Sequence, residues 1–164
     1  MIILGIDPGY GILGFGVIDK RGSSLRTIAY GVIETPKVSR FPVRLKYIGE
    51  KISELIDKYR PEAVSVEELF FQNNAKTAIM VAEARGVVLY VTENAGVPLY
   101  EYTPMQIKQA ITGYGRADKQ QMQNMIKLLL GLDKIPKPDD AADALAAALT
   151  HAQTNSAMGN FGVR

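Results

Sequence analysis

Three apolar stretches open the chain, and the short links between them predict an antiparallel meander. The stretches cover residues 2–7, 13–20 and 25–35, and they are separated by a glycine-rich bend and by the segment Arg21-Gly22-Ser23-Ser24. Turn-like links of this length are typical of antiparallel neighbours, whereas parallel neighbours need a longer crossover. We therefore predict three consecutive strands at the start of the fold.

Helical periodicity follows and alternates with short strand-like segments. Apolar residues spaced three and four apart predict a helix over 42–59, and the valine-rich residues 63–69 predict a fourth strand. Residues 75–93 are apolar nearly all round, which predicts a helix that is covered on more than one side. Residues 98–102 form the fifth predicted strand. Three more helices are predicted, ending at Gly113, at Gly131 and near Ala152.

This order of elements predicts an α/β fold with a five-stranded mixed sheet, an antiparallel meander and helices on both faces. The first strand then lies centrally, so Asp7 stands where a buried strand emerges at the carboxyl end of the sheet, the usual place for a site in such folds. We predict one domain over residues 1–153, followed by a flexible tail over 154–164, which is polar and contains glycine.

Composition and charge exclude only a few classes of protein. The 164 residues are 47% hydrophobic and carry a formal net charge of +2, which permits a polyanionic partner without requiring one. Cysteine is absent, so the chain has no disulfide framework and no thiolate chemistry. No apolar run approaches the ~18 residues of a membrane span. We expect a cytoplasmic protein with no membrane association.

Four acidic residues stand out because their neighbours are apolar. Alternation along the fourth strand points Glu67 and Glu68 to opposite faces, so only one of them can share a face with Asp7. Asp140 and Asp143 lie three residues apart at the start of the last helix, hence on one side of it. The candidate carboxylates are Asp7, Glu67, Asp140 and Asp143.

Oxygen ligands without histidine or cysteine favour a hard cation, Mg²⁺ or Mn²⁺. Two such ions in one site would suit in-line hydrolysis of a phosphodiester. Each residue also has a structural interpretation: Asp7 could form a turn before Pro8 and Gly9, and Glu67 could be a solvated strand residue. Asp139 and Asp140 could cap the last helix, and for Asp139 we favour that role.

Five segments together form a specific pattern: GIDPG at 5–9, VEELFFQNN at 66–74, ARGV at 84–87, QIKQAITGYGRADKQQMQNM at 106–125 and DAADALAAALTH at 140–151. These segments resemble the RuvC family of bacterial crossover junction endodeoxyribonucleases. The resemblance implies a ribonuclease H-like fold and a Mg²⁺-dependent Holliday junction resolvase that makes symmetric paired nicks in four-way DNA during recombination and repair. It also implies a homodimer, with helix 75–93 in the interface, and partnership with the RuvA-RuvB branch-migration complex.

By the same resemblance, the catalytic and metal-binding carboxylates fall on Asp7, Glu67, Asp140 and Asp143. Asp140 matches a family position that varies between aspartate and histidine. Lys119 matches a lysine expected to steady charge on the reacting phosphate, and Phe70 matches an aromatic residue that stacks on an unpaired base. The predicted DNA-binding residues are Phe70, Lys76, Arg85, Lys108, Arg116 and Lys119.

Three other functions compete with this interpretation. An aspartate and a glycine-rich bend after a first strand also open actin-like and sugar-kinase ATPases, but those proteins need two such domains. Another ribonuclease H-like nuclease, acting on RNA–DNA hybrid, would share the metal chemistry. A junction-binding module without catalysis is the non-enzymatic alternative.

Overall fold

A computed structural model describes residues 1–68 and 75–154, with ten elements in those ranges. The strands are β1 Ile2–Asp7, β2 Ile12–Arg21, β3 Ser24–Glu34, β4 Ala63–Glu67 and β5 Leu99–Tyr102. The helices are α1 Phe41–Tyr59, α2 Ala75–Asn94, α3 Pro104–Thr112, α4 Lys119–Leu129 and α5 Asp139–Gln153. The bounds of the helices and of the first three strands agree with the predictions to within about two residues. The predicted tail lies outside the described residues from 155 onward.

The five strands form one mixed sheet in the order β3-β2-β1-β4-β5. β1 pairs antiparallel with β2 and β2 with β3, which confirms the predicted meander. β4 lies parallel to β1 and β5 parallel to β4, because α1 and α2 carry the chain back across the sheet between them. β1 is therefore the central strand, as predicted.

Helices cover both faces of the sheet. On one face, the apolar side of α1 packs on Leu4, Ile6 and Val66, and α2 joins this core through Ala84 and Val88. On the other face, α3, α4 and α5 enclose a second core that includes Ile3 and Ile18 of the sheet. Alternation along β1 distributes its side chains between the two cores. The central strand is therefore buried from both sides up to Ile6.

α5 lies directly on the sheet because both surfaces carry very small side chains. A Cβ at Gly5 would stand 2.0 Å from the carbonyl oxygen of Ala144, and one at Gly16 would stand 2.8 Å from the Leu145 side chain. Ser65 of β4 donates a buried hydrogen bond of 2.8 Å to the carbonyl oxygen of Ala147. Glycine in the strands and alanine in the helix thus let the two backbones approach.

The ends of α3 and α4 are set by local signals that the sequence shows. Thr103 accepts a hydrogen bond from the Gln106 amide, and the Gln106 side chain accepts one from the Thr103 amide, which together form a capping box. Asp118 and Gln121 form the same reciprocal pair before α4. Thr103 is therefore the N-cap of α3 and Asp118 that of α4, which places Lys119 as the first residue of α4.

α2 is covered by its own fold on one side only, whereas its apolar sequence predicted cover on more than one side. Ala84 and Val88 are buried, whereas Ile79 is 60% and Tyr90 71% exposed. The helix therefore packs one side against its own fold and leaves large apolar side chains on another. None of the helices within residues 1–68 and 75–154 combines the length and hydropathy that a membrane span requires.

Candidate active site

Asp7 and Glu67 come together at the carboxyl ends of two neighbouring strands. β1 and β4 are parallel, and their register pairs Ile6 with Val66. The next residue on each strand is an acid, and both acids point to the face that α5 covers, since their neighbours Ile6 and Val66 belong to the core on the opposite face. Glu68 is the next residue along and is exposed.

α5 brings two more carboxylates to the same place. Gly14 pairs with Asp7 across β1 and β2, and a Cβ at Gly14 would lie 2.0 Å from the carbonyl oxygen of Asp140. The first turn of α5 therefore rests against the end of β1. Asp143, one turn further on, lies in the direction of Glu67. The structure thus brings the four predicted carboxylates toward one end of the sheet.

Burial raises the pKa values of Asp7, Glu67 and Asp143, and neighbouring carboxylates add to each shift. Burial raises the pKa of Asp7 to about 8, and the carboxylates of Asp143, Glu67 and Asp140 contribute in that order. Burial and then Asp143 raise the pKa of Glu67 to about 7, while Lys108 opposes the shift. Burial also raises the pKa of Asp143, opposed by Lys119. The group is electrostatically coupled and short of positive charge.

A cleft of about 220 Å³ opens beside these acids, and two lysines face it. Lys108 comes from α3 and Lys119 from α4, so both predicted lysines lie within reach of the carboxylate group. The ammonium of Lys119 lies 4.0 Å from Asp143 Oδ2. The cleft is lined by Glu67, Lys108, Lys119 and Asp143 and by the apolar residues Pro104, Ile107, Met122 and Ala146.

Asp139 has a different role from the one predicted. The cap position before α5 is Pro138, with no side-chain cap hydrogen bond, so the predicted capping by Asp139 is wrong. Its carboxylate instead pairs with Lys119 and Lys137, each at 2.8 Å, and these two hydrogen bonds hold the pKa of Asp139 well below its usual range. Sequence reasoning missed this because Lys119 lies 20 positions away. In the sequence, the only signal for a role of Asp139 is that this acid stands directly beside the candidate ligand Asp140.

The donor set fits a hard divalent cation by its chemistry. The candidate ligands are all carboxylate oxygens. The pKa of Asp7 is raised by burial and then by the negative charges of its neighbours, and a bound cation would offset both effects. Among residues 1–68 and 75–154, no three acidic, histidine or cysteine side chains stand close enough to enclose an ion by themselves. Mg²⁺ seldom needs such a cage, because it usually takes one or two carboxylates together with water and substrate phosphate oxygens.

The other predicted DNA-binding residues differ in how available their side chains are for contact with DNA. Arg116 is exposed in the loop between α3 and α4, beside the two helices that carry Lys108 and Lys119. The Arg85 guanidinium forms an ion pair with Glu101, so its charge is already engaged. Phe70 lies outside the described residues, as does the side chain of Lys76. Contact of these residues with DNA stays a prediction.

Comparison with protein families gives one extensive match. The family model described as "Crossover junction endodeoxyribonuclease RuvC" matches residues 3–151. A protein of that name from Brevibacillus brevis is 59% identical over 153 residues, which are 93% of this chain and 92% of the relative. Another from Petrotoga mobilis is 54% identical over 162 residues, 99% of each chain.

Solved structures show the same likeness in three dimensions. The Thermus thermophilus RuvC structure superposes with a TM-score of 0.87 at 42% identity, covering 93% of this chain and 94% of that one. The T. thermophilus RuvC in complex with Holliday junction substrate has a TM-score of 0.85 at 40% identity and the same coverage. The yeast mitochondrial Holliday junction resolvase Ydc2 shares the fold, with a TM-score of 0.66 at 14% identity, covering 92% of this chain and 78% of that one. The predicted ribonuclease H-like α/β fold is confirmed.

Proposed function

The chain belongs to the RuvC family of crossover junction endodeoxyribonucleases, and from this premise we propose that it is a Holliday junction resolvase. Its substrate is four-way DNA, and its reaction is hydrolysis of one phosphodiester in each of two strands of like polarity. The observation that carries the proposal is a cleft that presents Glu67, Asp143 and two lysines, Lys108 and Lys119. The buried Asp7 lies close enough to Asp143 and Glu67 for their charges to raise its pKa further.

The carboxylates are the proposed holders of Mg²⁺, with two ions per site when the site is full and Mn²⁺ as a possible substitute. Asp7 and Glu67 come from adjacent strands and Asp140 and Asp143 from α5, so the ligands belong to rigid elements. When bound, such ions supply activation of the attacking water and stabilisation of the leaving oxygen. The excess of negative charge around Asp7 supports this assignment.

Lys108 and Lys119 are the proposed contacts for the DNA backbone at the cleft. Both are positive groups facing carboxylates that would otherwise repel a phosphate. Lys119 lies next to Asp143, so its ammonium is suited to stabilise the extra charge on the phosphate as water attacks phosphorus and the bond to the leaving oxygen breaks. Arg116 extends the positive surface between the two helices.

A homodimer is the proposed assembly, because paired nicks require two active sites held at a set separation. The exposed Ile79 and Tyr90 on α2 support an interface that includes this helix. The RuvA-RuvB complex is the proposed partner by family membership. The cytoplasm is the proposed location, because the proposed substrate is DNA.

The test offers the protein three substrates in parallel: a synthetic four-way junction, linear duplex DNA and an RNA–DNA hybrid, each with Mg²⁺ and with EDTA. We expect symmetric, metal-dependent nicks that are confined to the junction. Cleavage of the hybrid would instead indicate another ribonuclease H-like nuclease. Tight junction binding with no nicking under any condition would indicate a binding module.

A further inference from the structure

Asp139 joins three side chains at the rim of the cleft. Its Oδ2 accepts a hydrogen bond from the Lys119 ammonium at 2.8 Å. Its Oδ1 accepts one from the Lys137 ammonium at 2.8 Å and one from the Gln123 side-chain amide at 3.0 Å. Lys119 and Gln123 belong to α4, whereas Lys137 precedes α5. One carboxylate therefore links α4 to the start of α5.

This contact determines where the Lys119 ammonium lies. The Lys119 side chain is 57% exposed, and a lysine that exposed ordinarily samples many rotamers. The bond to Asp139 instead holds the ammonium 4.0 Å from Asp143 Oδ2, on the cleft side of α4. Lys137 and Gln123 satisfy the other oxygen of Asp139, so the carboxylate is itself held in one orientation.

We propose that Asp139 is a positioning residue that holds the Lys119 ammonium beside Asp143, ready for the reacting phosphate. The inference rests on the proposed function. An ammonium has three N–H donors, so the bond to Asp139 leaves two for phosphate oxygens. A donor that is already in place needs no reorganisation when charge develops in the transition state. Asp139 does not touch the phosphate in this scheme.

The proposal predicts that substitution of Asp139 affects DNA binding and the rate of the chemical step differently. Asp139 places a negative charge near a polyanion, so removing that charge leaves DNA binding unchanged or stronger. The same removal frees Lys119 and slows the chemical step. A residue with a merely structural role would weaken both, because a displaced α5 would disturb the whole cleft.

The experiment compares Asp139→Asn and Asp139→Glu with the wild-type protein on a synthetic four-way junction. Single-turnover cleavage is measured with Mg²⁺ at saturating protein, and junction binding is measured in EDTA. We expect Asp139→Asn to lower the cleavage rate about tenfold, equivalent to about 1.4 kcal/mol in the barrier, with an unchanged or lower Kd. Asp139→Glu should recover part of the rate. An unchanged rate in Asp139→Asn overturns the proposal.

A matched control and a double variant show whether Asp139 acts through Lys119. Lys137→Gln removes one partner of Asp139 Oδ1 but leaves Gln123 on that oxygen and Lys119 on the other. The carboxylate therefore keeps its orientation, and the cleavage rate should stay within about twofold of wild type. In a Lys119→Ala background, Asp139→Asn should have no further effect. The proposal is overturned if Asp139→Asn slows cleavage by the same factor in that background as in the wild-type protein. So does a raised Mg²⁺ requirement in Asp139→Asn, since that would make Asp139 a metal ligand.

A spectroscopic measurement keeps the inference separable from the proposed function. The ¹⁵N relaxation of the Lys119 ammonium reports how strongly this group is ordered, and the measurement needs no cleavage. The Lys119 ammonium should be less ordered in Asp139→Asn than in the wild-type protein and should stay well ordered in Lys137→Gln. If this ammonium is equally ordered in the wild-type protein and both variants, the positioning role is overturned. A wild-type protein that leaves junctions intact would overturn the proposed function, while this measurement would still test Asp139.

Discussion

Gly14 of β2 lies so close to α5 that a Cβ at this position would stand 2.0 Å from the carbonyl oxygen of Asp140. The same glycine is the register partner of Asp7 on β1. The missing side chain is therefore what lets the acidic start of α5 rest beside the acidic end of the central strand. Any larger residue at Gly14 has to move the helix or the strand.

Gly14→Ala should damage both stability and catalysis. The added methyl group would collide with backbone rather than with a flexible side chain, so we expect a loss of about 1–3 kcal/mol in the free energy of unfolding. Displacement of Asp140 and Asp143 should lower junction cleavage at least about tenfold, by analogy with other ångström-scale misplacements. The control is Gly11→Ala, whose new methyl would meet only an Arg44 nitrogen at 3.4 Å. Equal behaviour of the two variants in thermal unfolding would contradict this account.

Asp7→Asn should leave junction binding intact and abolish Mg²⁺-dependent cleavage. The substitution keeps the shape of the side chain and removes one negative charge, which can only favour a polyanion. We expect the single-turnover rate to fall by at least about 100-fold, since a central ligand of the proposed metal site is lost. Gel-shift and nicking assays on one junction measure the two effects. Nicking at the wild-type rate would remove Asp7 from the mechanism.

Stability without divalent metal should fall as pH rises. The folded-state pKa values of Asp7, about 8, and Glu67, about 7, exceed the ordinary values of 3.8 and 4.5. The unfolded chain releases these protons near about pH 4, whereas the folded protein keeps them until about pH 7 to 8. The free energy of unfolding therefore falls as pH rises through this range, and folding is favoured on its acidic side. Thermal unfolding in EDTA should show this decline in the wild-type protein.

The matched variant for this pH dependence is Asp7→Asn, which lacks the largest shift. We expect it to be more stable than wild type at pH 8 by at least about 1 kcal/mol in EDTA, and nearly equal to wild type at pH 4. Added Mg²⁺ should narrow the difference at pH 8 by offsetting the charge in the wild-type protein. Parallel curves for the two proteins would show that Asp7 does not carry the shift.

Lys119→Ala should slow cleavage far more than Lys127→Ala. Lys119 faces the cleft at the start of α4, whereas Lys127 lies in the last turn of the same helix and does not line the cleft. We expect a loss of about 10- to 100-fold for Lys119→Ala and less than about twofold for Lys127→Ala. If Lys119 also meets the backbone, the slope of log Kd against log salt should fall by about one in that variant alone. Equal rates for both variants would contradict the assignment.

Ser65→Ala should destabilise the protein by loosening β4 from α5. The Ser65 hydroxyl is fully buried, and it donates to the Ala147 carbonyl, which would lose that donor. We expect a loss of about 1–2 kcal/mol in the free energy of unfolding. Ser53→Ala is the control, because Ser53 makes a similar bond to Gly49 at the exposed surface of α1. Denaturant unfolding of the two variants should therefore differ clearly.

Local patterns in the sequence were sufficient to predict the helices and strands and their order along the chain. Helical spacing predicted α1, and the structure confirms this helix at Phe41–Tyr59. The short links predicted the meander, and the central position of β1 followed from chain order. These features depend on interactions between residues close together in the chain, which is why one sequence was enough.

For the site, the sequence predicts which residues take part but not how they come together. The residue types and the family motifs are sufficient to identify Asp7, Glu67, Asp140 and Asp143 as candidate site residues. Their convergence depends on the register of β1 with β4 and on the contact between Gly14 and α5, which join segments more than 50 residues apart. The Asp139–Lys119 pair likewise required the packing of α4 against α5. Side-chain periodicity carries no record of such distant contacts, so only the tertiary structure decided which charged groups share the cleft.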